Sequence, residues 1–150
     1  MMILRLKEIR EKHDLKQRQI ADKLNISKST YNYFETGERI ITPKHLNNFC
    51  NTFSVSADFV LGLSNNNIVT KDLPKINKKL IGERIAKIRK DNNWTQQELA
   101  QLFNTSQSTI SAYENGKTLI LTAFIYAMCK EFNISADYLL GRSNIINIIL

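Results

Sequence analysis

Residues 56–65 read SADFVLGLSN, and residues 135–144 read SADYLLGRSN. One decapeptide written twice constrains the fold only if the chain around it recurs too, and it does. Ser135 lies 79 positions after Ser56, and the same interval separates Arg10 from Arg89, Gln17 from Gln96, Ser27 from Ser106, Glu35 from Glu114, Gly37 from Gly116 and Cys50 from Cys129. Residues 4–65 align with residues 83–144 without a gap. A fixed interval of this kind marks a duplicated structural unit. The period is too long for a solenoid repeat and suits a small domain. The expected organisation is residues 1–65 as copy one, 66–77 as a linker, and 78–150 as copy two with an apolar tail.

Each copy, about 65 residues, is near the lower limit for a domain that folds without disulfides or metal. Hydrophobic residues make up 43% of the chain, an ordinary globular fraction. No apolar run suits a secretory leader or a membrane span, and the tail of residues 145–150 is read as a packing segment. Cys50 and Cys129 occupy equivalent positions among apolar residues at helical spacing, which predicts two core thiols in a reducing cytoplasm. His13 and His45 have no Cys, Asp or Glu cluster at ligand spacing, so neither a metal nor a cofactor is expected.

Net charge is +7, which favours a polyanionic partner. Residues 1–65 carry +3, residues 66–80 another +3 and residues 81–150 only +1. The excess is concentrated in the first half and the linker.

Apolar spacing predicts five short helices per copy. In copy one the first covers about residues 3–12 and the second 17–24, and the third runs from 28 to 35 behind a capping Ser27. Pro43 opens the fourth, and Ser56 caps the fifth, whose Phe59, Val60 and Leu61 close the core. Gly37 suits the left-handed stop of the third helix. In copy two, Thr95 caps 96–103 and Ser106 caps 107–114. Lys16 stands where Thr95 does, so the second helix is better capped in copy two. SADFVLG and SADYLLG are the capped closing helices, and the fold class is all-α.

The third helix carries the function. Tyr31 and Phe34 fall on its core face, leaving Lys28, Ser29, Asn32 and Tyr33 outward. In copy two Ile110 and Tyr113 point in, and Gln107, Ser108, Ser111 and Ala112 point out. A short helix, a tight turn and a second helix with small polar residues outward match the helix-turn-helix that reads the major groove. Lys28 suits guanine acceptors, Asn32 or Gln107 suits adenine, and serine amides at a helix start suit phosphate.

QRQIADKLNISKSTYNYFETGE and TQQELAQLFNTSQSTISAYENGK resemble the Xre/Cro-type helix-turn-helix regulators over nearly all of each copy. The resemblance implies two tandem five-helix, lambda-repressor-like DNA-binding domains. By position it places Gln17 and Gln96 near phosphates, and Lys28, Ser29, Asn32, Tyr33, Gln107, Ser108, Ser111 and Ala112 against bases. Arg39 and Lys117 would lie near the backbone. Arg10 with Glu35, and Arg89 with Glu114, would be ion pairs bracing the third helix. Copy one departs from the family in Lys16 and in an aromatic third helix, whose Tyr33 suits either a thymine or a protein interface.

The expected partner is double-stranded DNA and the expected role a sequence-specific regulator, a repressor. The alternative is an interaction or dimerisation module, antitoxin-like or phage-regulator-like. No nucleophile–base pair or phosphate-binding glycine loop suggests an enzyme. Two half-sites about 34 Å apart are within reach of a linker extended to roughly 40 Å. Direct packing of the copies, or a homodimer through copy two and the tail, are the other arrangements.

Overall fold

The computed structural model of the chain describes residues 2, 4–68 and 71–150. The described residues form ten helices and no strand beyond an isolated bridge between Ile134 and Asn147. Copy one holds α1 (Leu6–Lys12), α2 (Gln17–Leu24), α3 (Lys28–Thr36), α4 (Pro43–Phe53) and α5 (Ala57–Val60). Copy two holds α6 (Lys78–Asp91), α7 (Gln96–Phe103), α8 (Gln107–Glu114), α9 (Thr122–Phe132) and α10 (Ala136–Leu140).

Helix starts follow the side chains that can take the exposed amides of a first turn. Ser27 and Ser106 accept from Thr30 and Thr109, and Ser56 and Ser135 accept from Phe59 and Tyr138. Thr95 and Glu98 form a reciprocal capping box ahead of α7, at 3.1 and 3.0 Å. Ahead of α2 only half of it is chemically available. Gln19 accepts from the Lys16 amide at 2.7 Å, and an ammonium has no lone pair to return.

The first helix is shorter than the expected 3–12. The Arg5 amide donates to the Val60 carbonyl at 2.9 Å, drawing the chain ahead of Leu6 onto the closing segment. Ile3 lies outside the described residues, as do Val69 and Thr70 of the linker. The core is built from equivalent positions, among them Leu6, Ile20, Tyr31, Phe49 and Leu61 of copy one and Ile85, Leu99, Ile110, Met128 and Leu140 of copy two. Cys50 and Cys129 are fully buried free thiols, and burial raises the pKa of both. Phe59 is only half-buried, with the Arg5 guanidinium stacked on its ring at 4.3 Å.

The two copies pack directly through α5 and α10. The Asp58 carboxylate accepts from the Ala136 amide and the Ser135 hydroxyl, both at 2.6 Å. Asp137 accepts from the Ala57 and Asp58 amides at 2.9 and 3.0 Å. The linker does not run as a free tether. The Leu73 carbonyl accepts from the amides of Asn47 and Asn51, each at 2.7 Å, and so lies against α4. The tail crosses between copies: the Ser135 amide donates to the Ile146 carbonyl at 2.7 Å, and Ser64 and Asn66 donate to the carbonyls of Ile149 and Leu150. Ile146 and Ile148 pack on the core, while Ile145, Ile149 and Leu150 are exposed.

Candidate nucleic-acid interface

In each copy a left-handed asparagine makes the tight turn, Asn25 (φ 57°) between α2 and α3 and Asn104 (φ 54°) between α7 and α8. Asparagine tolerates this region better than most residues. α3 then stops at Gly37, whose φ of 83° favours glycine. Burying Tyr31 and Phe34 turns Lys28 and Ser29 fully outward and leaves Asn32 and Tyr33 half-exposed. In α8, Ile110 and Tyr113 are buried, Gln107 and Ser108 exposed, and Ser111 and Ala112 half-exposed.

Both helices are braced from below by the same fork. Arg10 Nε and Nη2 donate to the two Glu35 oxygens at 2.7 and 3.0 Å, and its Nη1 donates to the Leu15 carbonyl at 2.9 Å. Arg89 repeats this on Glu114 at 2.7 and 2.9 Å, and on the Trp94 carbonyl at 2.8 Å. Bidentate pairing of this kind fixes orientation as well as charge. Burial pushes the Glu35 carboxyl up, but the Arg10 hydrogen bonds and charge outweigh it and hold the group below its ordinary value. The one acidic side chain of α3 is thereby neutralised, and the outward face carries no negative charge.

Gln17 and Gln96 point toward these braces. Gln17 Nε2 donates to Asn32 Oδ1 at 3.0 Å and to Glu35 Oε1 at 3.3 Å. Gln96 Nε2 donates to Glu114 at 3.2 Å, and its Oε1 accepts from Gln107 at a long 3.4 Å. Their side-chain amides therefore orient Asn32 and Gln107, a positioning role that the sequence reading did not assign. Ser111 Oγ accepts from Asn115 at 3.2 Å, and Ser108 Oγ lies 2.9 Å from Ser106 Oγ.

Arg39 and Lys117 lie just beyond the two helices, both exposed. The Arg39 guanidinium stacks on the Tyr33 ring at 4.6 Å, and its amide donates to the Tyr33 carbonyl at 3.2 Å. This stack holds the ring and the cation as one unit at the edge of the face. Lys117 has no aromatic beneath it, since Ala112 occupies the position equivalent to Tyr33.

Sequence reasoning also missed Arg5 and Arg84. Arg5 donates to the carbonyls of Phe59 and Ser64 at 2.9 and 2.6 Å and to Asn65 Oδ1 at 2.6 Å. Arg84 donates to the carbonyls of Tyr138 and Ser143, the latter at 2.8 Å, and to Asn144 Oδ1 at 2.9 Å. The side-chain contacts to Asn65 and Asn144 give the recurring final Asn of the decapeptide its role. The signal was present, because Arg5 and Arg84 share the interval of 79.

Among the described residues no group of three or more His, Cys, Asp or Glu could hold a metal ion, and no helix is long and apolar enough to cross a membrane. Residues 6–60 match a family model described as "Helix-turn-helix", and residues 82–145 match one described as "Helix-turn-helix domain". The antitoxin PezA of Streptococcus pneumoniae is 34% identical over 68 residues, covering 45% of this chain and 43% of that protein. The competence pilus inhibition repressor of Acinetobacter baylyi is 40% identical over 57 residues, 38% of this chain and 52% of that protein. The chain thus spans about half the length of these curated relatives. A crystal structure of the P22 c2 repressor protein with a synthetic operator is 33% identical, covering 43% of this chain and 97% of that one, with a TM-score of 0.40.

Proposed function

We propose that this chain, which belongs to the Xre/Cro-type helix-turn-helix regulators and carries two tandem copies of their domain, is a sequence-specific DNA-binding transcription regulator acting as a repressor. The observation that carries the reading is the pair of outward faces on α3 and α8. Each is polar, free of negative charge, and held by a bidentate arginine–glutamate brace. Groove entry needs short polar groups on a rigid helix, and this is that combination. We read residues 1–65 and 78–150 as the two domains and 66–77 as the linker. Lys28, Ser29, Asn32, Tyr33, Gln107, Ser108, Ser111 and Ala112 face bases, Arg39 and Lys117 face the phosphate backbone, and Gln17 and Gln96 lie near phosphates while orienting Asn32 and Gln107. The working compartment is the cytoplasm, and no catalytic step is assigned.

A second reading rests on Tyr33. An aromatic ring stacked under Arg39 is also the chemistry of a protein contact, and one of the relatives is named an antitoxin. In that reading copy one docks a protein and copy two alone reads DNA. Titrating the full chain into labelled random-sequence duplex at several salt concentrations tests the main reading. Binding that weakens linearly in log–log form with salt is expected. Absence of binding at low salt removes it in favour of the interaction module.

A further inference from the structure

The contacts between the copies are reciprocal. Asp58 of copy one caps the start of α10, and its equivalent Asp137 caps the start of α5. A patch that meets its own equivalent is the mark of a two-fold relation, whereas head-to-tail packing buries two different patches. Rotation about a two-fold leaves height along the axis unchanged. α3 and α8 therefore lie at equal heights along that axis. A two-fold pair of recognition helices fits inverted half-sites.

Around that symmetric centre lies an asymmetric lock. Arg142 is buried, and its Nη1 donates to Asn47 Oδ1 and Asn51 Oδ1, each at 2.7 Å, while its Nε donates to Asp137 at 3.1 Å. Thr122 Oγ1 donates to the Ile41 carbonyl at 2.6 Å. Copy one has Leu63 and Pro43 at the positions of Arg142 and Thr122. Copy two has Tyr126 and Lys130 at the positions of Asn47 and Asn51. Pairing copy two with another copy two would set Arg142 against Lys130. Pairing copy one with another copy one would set Leu63 against the amides of the buried Asn47 and the half-buried Asn51. Both mismatches disfavour like-with-like pairing, and the linker pinned on α4 keeps the matching copy at hand.

The recognition faces also differ. Lys28, Asn32 and Tyr33 correspond to Gln107, Ser111 and Ala112, and only Ser29 and Ser108 agree. We propose that one chain reads one operator made of two inverted half-sites of unequal sequence, the pairing of copy one with copy two standing in for a dimer of chains. This rests on the DNA-binding reading above and adds the orientation, the asymmetry and the stoichiometry of the site.

The test uses the full chain. Selection from a random duplex pool is expected to return two unlike blocks about one helical turn apart, with one chain per duplex by sedimentation. Reversing one block, so that both run in the same direction, is expected to weaken binding at least about tenfold. Giving α3 the face of α8 by Lys28→Gln, Asn32→Ser and Tyr33→Ala is expected to convert the selected site to a palindrome. Equal affinity for the reversed block, two chains per duplex, or an unchanged site for the triple variant overturns the proposal while leaving the regulator reading standing. A chain that binds no duplex at low salt overturns both. The reversed-block arm needs no variant, so it decides even where the triple variant does not fold.

Discussion

Asp58 and Asp137 each sit in the first turn of one closing helix and accept hydrogen bonds from the start of the other. Burial first, and then the nearby charge of Asp137, push the Asp58 carboxyl up to about 7. An acid whose pKa rises on folding holds a proton that the unfolded chain, near 3.9, has released. Its contribution is thus complete below about pH 4 and lost as pH rises through about 7.

The first prediction concerns that carboxyl. Asp58→Asn keeps one accepting oxygen for the Ala136 amide, turns an amide donor toward the Ser135 hydroxyl, which can accept it, and cannot ionise, so it should lose little stability at pH 8. The parent should gain on the variant by a few degrees of Tm, roughly, as pH falls to 5. His45, whose pKa is lowered by burial and by Lys44, changes stability in the opposite direction over this range, but it is present in both proteins and cancels. A Tm difference that stays constant from pH 5 to 8 would show that Asp58 is not the titrating group.

Arg142→Leu installs the residue that copy one carries at the equivalent position. It strips donors from Asn47 and Asn51 and leaves the Asp137 carboxylate without its cation in a buried interface. Breaking a buried ion pair from one side costs about 3 kcal/mol or more, which is a fall of roughly 10 °C in Tm for a chain of this size. A loss below about 1 kcal/mol by thermal melting, the ordinary net worth of one hydrogen bond, would mean that the lock contributes little.

The two faces of this interface differ in how visible they were from sequence. The duplication, the serine caps, the core thiols and the helix-turn-helix spacing follow from local chemistry or from the interval of 79, and each can be read along the chain. Asp58 cannot be read that way. An aspartate in a first turn looks like an exposed dipole partner, and its contacts lie 77 to 79 residues away. Arg142 left a trace, since it breaks the repeat where Leu63 stands, but its meaning needs the two copies folded face to face. Gln17 and Gln96 were placed near phosphates by position alone. Their amide contacts to Asn32 and Glu114 depend on side-chain reach across the turn, which spacing does not specify.

Gly82 offers a prediction that runs against helix propensity. Alanine inside a helix is ordinarily better than glycine by about 1 kcal/mol. On α6, however, a Cβ at Gly82 would lie 2.3 Å from the Tyr113 carbonyl oxygen and 2.7 Å from that of Glu114, both rigid backbone. Gly82→Ala should push α8 off α6 and destabilise the chain by about 1–3 kcal/mol, lowering the urea midpoint. Because α8 carries Gln107 and Ser108, DNA affinity should fall with it. An unchanged or raised midpoint would show that the two helices can separate freely.

The last prediction asks which copy contributes affinity and which contributes discrimination. Copy one and the linker through residue 80 hold six of the seven net positive charges, and Lys28 and Arg39 are exposed beside α3. Copy two presents Gln107, oriented through Gln96, with Lys117 as the nearby cation. Phosphate neutralisation sets the salt-dependent part of affinity, while glutamine pairs directionally with adenine. Lys28→Ala, which removes a base contact that is also a charge, should therefore reduce the salt slope by about one as well as relax the preference at the base it faces. Gln107→Ala should leave the slope unchanged and cost about 1–3 kcal/mol at a single base position. Fluorescence anisotropy on the selected operator and on single-base variants of it measures both quantities. If the two substitutions exchange these signatures, copy two is the electrostatic anchor and copy one the reader. If neither changes affinity or preference, the outward faces of α3 and α8 do not touch DNA.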